Sequence, residues 1–459
     1  MESAFDIAAD LDTPVSAYLK LAPFRPRFLL ESVEGGERLA RYSFVGFGDA
    51  DEFRLVGDRC VINGETRPAP TSVAEFAAIL RTTLQRAPRP RPEIPGVPFL
   101  GGLVGSTGFE MNRRFDRAHR TNPAGGLDAV YLAPKAVLVF DHVTRRAALL
   151  YDGTEDERAS LRQDVIAALR GPLPPRPSNT PHAPPTASLD RKSFLSSVET
   201  VKDYIRAGDV YQLVLSICFT GEADVPPFEV YRALRLLNPS PYMYFCDFGD
   251  LAVVGSSPEA LVKLNGREAS LRPIAGTRPR GRTAVEDLAL ERELLADPKE
   301  NAEHIMLVDL ARNDLGRVAV PGTIRVDPYR TIERYSHVMH IVSGVNGVLA
   351  PERDAFDLFA ACFPAGTVVG APKIRALEII EELEPHPRGI YAGTVGYFGH
   401  SGSMDQAIAI RTLVFRDGNY AYQAGAGIVA DSVPEREHAE VFAKSAALEA
   451  ALSLAEEGL

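Results

Sequence analysis

Two pairs of carboxylates in this chain could do chemistry together. In "KENAEH", Glu300 and Glu303 stand three residues apart, and Glu437 and Glu440 repeat the spacing in "PEREHAE". On a helix, that spacing puts both groups of a pair on one face. Like charges so close cost stability unless a cation lies between them, and a hard ion such as Mg²⁺ takes oxygen ligands. Taken singly, each pair is better explained as a solvated acidic face. "KENAEH" does not carry the H-E-x-x-H pattern of a zinc helix.

Three tight glycine turns come next: "RPIAGTRPRG" (Arg272–Gly281), "FPAGTVVGAPK" and "QAGAGIV". None has the spacing of a phosphate loop, and "AGAG" lacks the spacing and distal acid of a dinucleotide fold. Such turns expose backbone N–H groups that can hold a carboxylate. Arg411, ending "AIAIR", is a candidate bidentate partner for the same anion. Glu259 in "GSSPEALV" follows a strand end, where a carboxyl group sits poised in a cleft or caps a helix. His337 and His340 flank a short apolar stretch in "YSHVMH", as structural residues or as a base. The residues alone therefore reach an α+β enzyme for a small carboxylate-bearing substrate, with acid/base help and Mg²⁺. They leave the reaction open.

The elements that must position these groups follow from periodicity. Strand-like runs ("FLLESV", "RYSFVGF", "AVLVFDHVTRRAALLYD") dominate the first part of the chain. The proline-rich "GPLPPRPSNTPHAPPTASLD" (171–190) is a seam that cannot build a core. After it, Phe194, Val198, Val201 and Ile205 mark a helix stopped by Gly208. The strand "VYQLVLSICF" then turns Gln212 and Val214 to one face and Leu213 and Leu215 to the other. Long helices are expected over "AVEDLALERELLADPKENAEHIMLVDLARNDLG", "APKIRALEIIEELE" and "PEREHAEVFAKSAALEAALSLAEE", and single strands over "GIYAGTVGYFG", "SMDQAIAIRTLVF" and "YAYQAGAGIV". Runs of strands joined by short turns favour α+β with largely antiparallel sheets. The division reads as 1–170, a β-rich regulatory region; 171–190, a linker; and 191–459, the catalytic region. A chain of 459 residues needs two domains or one two-lobed body.

The formal net charge of −11 argues against nucleic acid as a partner. Four scattered cysteines, Cys60, Cys218, Cys246 and Cys362, imply neither zinc nor disulfides. No leader and no apolar stretch long enough for a membrane is apparent, so a cytoplasmic protein is expected. The chain contains no tryptophan.

The ordered set "GSSPE", "PIAGTRPRG", "KENAEHIMLVDLARNDLG", "FPAGTVVGAPK", "RGIYAGTVGY", "AIAIRT" and "AGAGIVADSVPEREHAE" resembles the chorismate-utilising enzymes, over essentially all of 190–455. "LLESVEGGERLARYSFVG" is similar to the anthranilate synthase large subunits in particular. The resemblance implies a two-lobed fold of antiparallel sheets packed as a sandwich with helices outside. It implies Mg²⁺ at Glu300, Glu303, Glu437 and Glu440, partly through water, and Tyr391, Arg411, Gly425 and Gly427 on the enolpyruvyl carboxylate of chorismate. Lys444 would add positive charge, and Glu259 would protonate the departing C4 hydroxyl. Thr277 and Thr367 would hydrogen-bond the substrate, and His340 would stand by the C2 proton.

Two positions separate the subfamilies. Water-using members carry a lysine where this chain has Gln212, and an amide cannot activate water. Aminodeoxychorismate synthases read "PIKGT", where this chain has Ala275. The resemblance thus points to ammonia as nucleophile and anthranilate as product, with an aminodeoxychorismate or 2-amino-2-deoxyisochorismate synthase as the alternative. It also implies feedback inhibition by tryptophan at Leu30, Glu31, Ser32, Pro241, Tyr242 and Met243, from "LLES" and "NPSPYM". No cysteine lies in a nucleophile-elbow context, so a separate glutamine amidotransferase subunit would deliver the ammonia. Departures from the family pattern occur at Ile217-Cys218 and at Ser106-Thr107 in "GGLVGSTGFE".

Overall fold

Neighbours in the strand Pro26–Glu31 part company: Phe28 joins one apolar cluster with Phe44, Phe99 and Val137, while Leu29 joins another with Val45, Leu103 and Leu138. Side chains alternate along a strand, so this sheet is buried on both faces. That is why "FLL" and "AVLVF" read as continuous apolar runs rather than as alternating ones.

The computed structural model describes residues 4–34, 38–39, 41–115, 127–175, 181–335 and 338–459. His337 lies outside them. The described residues form a curled 21-stranded sheet, a three-stranded sheet, a two-stranded ribbon and eleven α-helices. Strands from the first third of the chain run antiparallel beside strands from the last half. Pro26–Glu31 pairs with Tyr42–Val56 on one side and Tyr242–Asp247 on the other. Gly102–Thr107 likewise pairs with both Leu127–Asp141 and Thr394–Gly399. No described helix is long and apolar enough to cross a membrane. All four cysteines are free thiols.

Two expected elements are broken. The long helix around "KENAEH" is two helices, Ala284–Ala296 and Pro298–Gly316. Pro298 has no N–H and its ring clashes with the preceding turn, so it starts a helix instead of continuing one. Asp297 caps the new start, accepting from the N–H groups of Lys299 and Glu300. The helix Pro434–Glu457 also begins on a proline. Both carboxylate pairs therefore sit near helix N-termini, where the macrodipole favours negative charge.

The second break divides "SMDQAIAIRTLVF" into strands Met404–Ile408 and Thr412–Arg416. Between them Arg411 adopts a left-handed conformation with φ 51°, which costs a non-glycine residue about 1–2 kcal/mol. "GIYAGTVGYFG" is a strand only from Thr394 onward. Its first residues form a turn in which Ala392 is also left-handed.

Candidate active site

The small sheet supplies the first part of the site. Strand Ile274–Pro279 pairs with Val338–Val342, which pairs with Thr331–Arg334. Leu294, Met339 and Ile341 form the apolar cluster beneath it. Ala275 lies opposite Ile341 and Thr277 opposite His340, so Gly276 is an extra residue, a bulge with φ +65°. Glycine takes that conformation without strain. The bulge swings Thr277 Oγ1 to 3.1 Å from His340 Nδ1, while the Gly276 carbonyl lies 3.0 Å from the same nitrogen. A carbonyl oxygen only accepts, so Nδ1 carries the proton and Nε2 keeps its lone pair. Burial lowers the His340 pKa, opposed by the Gly276 hydrogen bond and aided by nearby Arg411. The ring is thus a neutral base at neutral pH.

A Cβ on Gly276 would come within 3.1 Å of Glu300 Oε2, so the bulge also abuts the first carboxylate pair. Glu300 faces Arg278 Nη1 at 3.4 Å, and Gln212 Nε2 donates to Glu303 Oε1 at 3.3 Å. On the second helix Glu440 pairs with Lys444 at 2.7 Å, and Glu437 is buried near Ser432. Burial raises the Glu303 carboxyl, and repulsion from Glu300 and Glu440 adds to it. Burial likewise raises Glu437, with repulsion from Glu440. The two pairs therefore lie close enough for Glu303 to feel the charge of Glu440. Among the described residues, no three His, Cys, Asp or Glu side chains gather closely enough to form a metal-ligand set. The donors are all oxygens, they repel one another, and their partners Gln212, Arg278 and Lys444 are donors or cations. That chemistry fits a hard divalent ion.

The anion end is built by the turn before Thr394 and by the strand Asn419–Ile428. A Cβ on Gly425 would meet Tyr391 Oη at 2.8 Å, and one on Gly427 would meet Gln212 Nε2 at 2.7 Å. Lys444 Nζ donates to the Gly425 carbonyl at 3.0 Å. Arg411 comes in from the strand break beside His340. Its pKa is lowered by burial alone, and no carboxylate pairs with it among the described residues. A half-buried guanidinium without a carboxylate partner can take a carboxylate through two parallel N–H groups.

Glu259 completes the ring of groups. It follows the strand Leu251–Ser257, and its carbonyl accepts from Ile408 N at 3.0 Å. Burial pushes its carboxyl up to about 7, against smaller lowering effects of Thr367 and Lys444. Thr367 Oγ1 lies beside it, buried and without hydrogen-bond geometry to any described partner. A carboxylic acid that keeps its proton to neutrality can serve as a general acid.

The residue types flagged in the sequence thus converge: Glu259 with Thr367 and Lys444, Lys444 with Gly425 and Glu440, Glu303 with Gln212 and Gly427, and Glu300 with the Thr277–His340 bulge. Leu30, Glu31, Ser32, Pro241, Tyr242 and Met243 are brought together elsewhere, as part of the lining of a cavity of about 780 Å³. Glu31 points its carboxylate inward, to Tyr231 Oη at 2.5 Å and Arg235 Nε at 2.9 Å. Its charge is therefore already compensated. Pro258 and Ala260, on either side of Glu259, also line this cavity.

The model for the chorismate binding enzyme family matches residues 25–450. This chain belongs to that family. It is 47% identical to anthranilate synthase component 1 of Thermus thermophilus over 98% of this chain and 97% of the relative. It is 46% identical to the same component of Acinetobacter calcoaceticus, over 98% and 95%. Among solved structures, anthranilate synthase component I of Streptococcus pneumoniae superposes with a TM-score of 0.79 at 35% identity, covering 89% of this chain and 92% of that one. The isochorismate synthase MenF of Escherichia coli shares the fold at TM-score 0.70 and 21% identity. The α+β fold expected for a chorismate-binding enzyme is the one observed.

Sequence reading missed a second tier of buried polar residues in this chorismate-binding enzyme. Glu384, Arg388 and Ser216 stand directly behind Tyr391 and Gly425. The one available signal was Arg388 itself, a charge between a proline and the apolar "GIYAG" run.

Proposed function

We propose that the chain is the synthase subunit of an anthranilate synthase, converting chorismate and ammonia to anthranilate, pyruvate and water. The observation that carries this reading is Glu259, whose acid is held up to about 7, in a site where the half-buried Arg411 has no carboxylate partner among the described residues. In the proposed reaction, Arg411, Tyr391 and the Gly425 and Gly427 backbone hold the enolpyruvyl carboxylate. Glu259 gives its proton to the C4 hydroxyl, which leaves as water while ammonia adds at C2. Hydroxide is a poor leaving group, so this proton is essential. The C2 ammonium formed by the added ammonia releases a proton to solvent, and Glu259, left as a carboxylate, takes one back from solvent. His340 then takes the C2 proton through Nε2 as the C3–O bond breaks. The ring becomes aromatic, and the released enolpyruvate takes up a proton to become pyruvate.

Glu300, Glu303, Glu437 and Glu440 would hold Mg²⁺, whose charge would bind the ring carboxylate and offset the four acids. Gln212 cannot deprotonate water, which supports ammonia over water as the nucleophile. The name "component 1" of the relatives supports a second subunit, a glutamine amidotransferase, as the ammonia source in the cytoplasm. The cavity that includes Leu30–Ser32 and Pro241–Met243 is proposed to take tryptophan as feedback inhibitor.

Incubation with chorismate, Mg²⁺ and ammonium tests the reaction: fluorescent anthranilate appears together with pyruvate. A non-aromatic amine without pyruvate would instead assign an aminodeoxychorismate or 2-amino-2-deoxyisochorismate synthase. Tryptophan-induced thermal stabilisation with no chorismate consumed would make the chain a binding protein. Replacing Ser32 with phenylalanine fills the edge of the cavity, so tryptophan inhibition is lost while uninhibited turnover is retained. Undiminished inhibition in Ser32→Phe would remove the regulatory assignment.

A further inference from the structure

The pair Arg388–Glu384 is almost completely buried, with side-chain exposures of 1% and 4%. Arg388 meets Glu384 through two parallel bonds, Nε to Oε2 at 2.8 Å and Nη2 to Oε1 at 2.7 Å. Its remaining donors reach the carbonyls of Val368 and Val214, both at 2.8 Å. Glu384 Oε1 also accepts from Ser216 N at 2.9 Å and Ser216 Oγ at 2.6 Å, and Gln423 Nε2 donates to Ser216 Oγ at 2.7 Å. Every side-chain nitrogen and oxygen of the pair thus has a hydrogen-bond partner. Replacing such a buried pair by apolar residues is often neutral for stability, so stability alone does not account for it.

Its surroundings say what it holds. The guanidinium lies over two rings, 4.6 Å from the Phe109 centroid and 5.6 Å from that of Tyr391. The backbone of the same turn is gripped by the N-terminal part of the chain. Glu110 accepts from Arg388 N at 2.8 Å and Gly389 N at 2.9 Å, and Phe109 N donates to the Gly389 carbonyl at 2.7 Å. Tyr391 N in turn bonds the Arg388 carbonyl at 3.2 Å. At the far end, the space beside Gly425 is bounded by Tyr391 Oη and by Ser216 Cβ, from the serine that caps Glu384.

We propose that Arg388 and Glu384 are positioning residues for the Tyr391 hydroxyl, and that the Phe109–Glu110 turn holds them in register. The inference rests on the reading of Tyr391 as a substrate-carboxylate ligand. Arg388 fixes the plane of the Tyr391 ring through its face, and Glu384 fixes Arg388 and Ser216 together. The hydroxyl is then aimed at the Gly425 backbone before substrate arrives. "GGLVGSTGFE", which departs from the family pattern at Ser106-Thr107, thereby contributes to the substrate site without touching substrate.

Phe109→Leu tests this while leaving the ion pair intact, so the fold is preserved even where Arg388 or Glu384 variants fail to fold. Steady-state kinetics with chorismate and ammonium are measured for Phe109→Leu, Tyr391→Phe and the double variant. Phe109→Leu raises KM for chorismate about fivefold, with kcat within about twofold, as expected for loss of one ring–cation contact. Tyr391→Phe raises KM about tenfold, and the double variant is no worse than Tyr391→Phe to within about twofold, because both act through one hydroxyl. Multiplying effects, or an unchanged KM in Phe109→Leu beside a raised KM in Tyr391→Phe, would overturn the positioning role alone. An unchanged KM in Tyr391→Phe would overturn the carboxylate reading and the positioning role with it.

Discussion

Glu259→Gln holds chorismate and does not turn it over. Glutamine matches the shape and neutrality of the protonated acid but has no proton of comparable acidity to give. Loss of a positioned general acid costs roughly 10²–10⁴ in rate, so kcat falls by about a thousandfold. The groups assigned to the carboxylates, Arg411, Tyr391 and the Glu300/Glu303 and Glu437/Glu440 pairs, are untouched. Equilibrium binding of chorismate with Mg²⁺, measured by calorimetry, should then stay within a few-fold of the parent. Binding lost together with turnover would make Glu259 a ligand for substrate and not its acid.

The same substitution has a signature in stability. The folded carboxyl keeps its proton to about 7, whereas the free acid loses it near 4.5. Between those values the folded state binds more protons than the unfolded one, so its stability falls as pH rises. The contribution is complete below about 4.5 and gone above about 7, and amounts to at most about 3 kcal/mol. Urea unfolding of the metal-free protein at several pH values should show this slope, and Glu259→Gln should lack that part of it. A parent profile that matches the variant's across this window would mean that the acid is ordinarily ionised. Turnover under saturating ammonia should likewise decline as Glu259 deprotonates above about pH 7.

Arg411→Met makes the ligand-free protein more stable and nearly unable to bind substrate. Arg411 is half-buried, desolvation lowers its pKa, and no carboxylate answers it among the described residues. A partly desolvated charge without a counter-charge is destabilising, and methionine removes it at similar length. The thermal midpoint without ligand therefore rises. Truncating one partner of a buried charge pair in a complex costs about 2–5 kcal/mol, so KM for chorismate increases by about a hundredfold or more. Chorismate should raise the midpoint of the parent and not of the variant. An unchanged KM, or a variant destabilised without ligand, would remove Arg411 from the anion site.

What could be read in the sequence was carried by residues fixed to glycine or proline punctuation. Gly276 sets the bulge that presents Thr277, and Gly425 and Gly427 leave room for Tyr391 and Gln212. Their spacing within short motifs survives folding, so which of these residues come together was legible. The broken helix was legible in principle from Pro298, but the acidic and apolar pattern continues across it. The strand break at Arg411 has no local marker. It arises because Met404–Ile408 pairs with Thr394–Gly399 while Thr412–Arg416 pairs with Leu251–Ser257, a tertiary choice. Glu384 and Arg388 stand four apart, the spacing of an ordinary exposed ion pair. Only the sheet packed over them makes the pair interior. Glu31, from "LLES", lines the cavity with Leu30 and Ser32, but its bonds to Tyr231 and Arg235, contributed by a distant helix, had no local marker.

The interleaving of early and late strands also sets an order of events during synthesis. Pro26–Glu31 leaves the ribosome long before its neighbour Tyr242–Asp247, and Gly102–Thr107 waits still longer for Thr394–Gly399. Until those partners emerge, the first strands offer open hydrogen-bonding edges and apolar faces to whatever is near. Completion of this enzyme on the ribosome is therefore tied to its last hundred or so residues, at a few to about twenty residues per second.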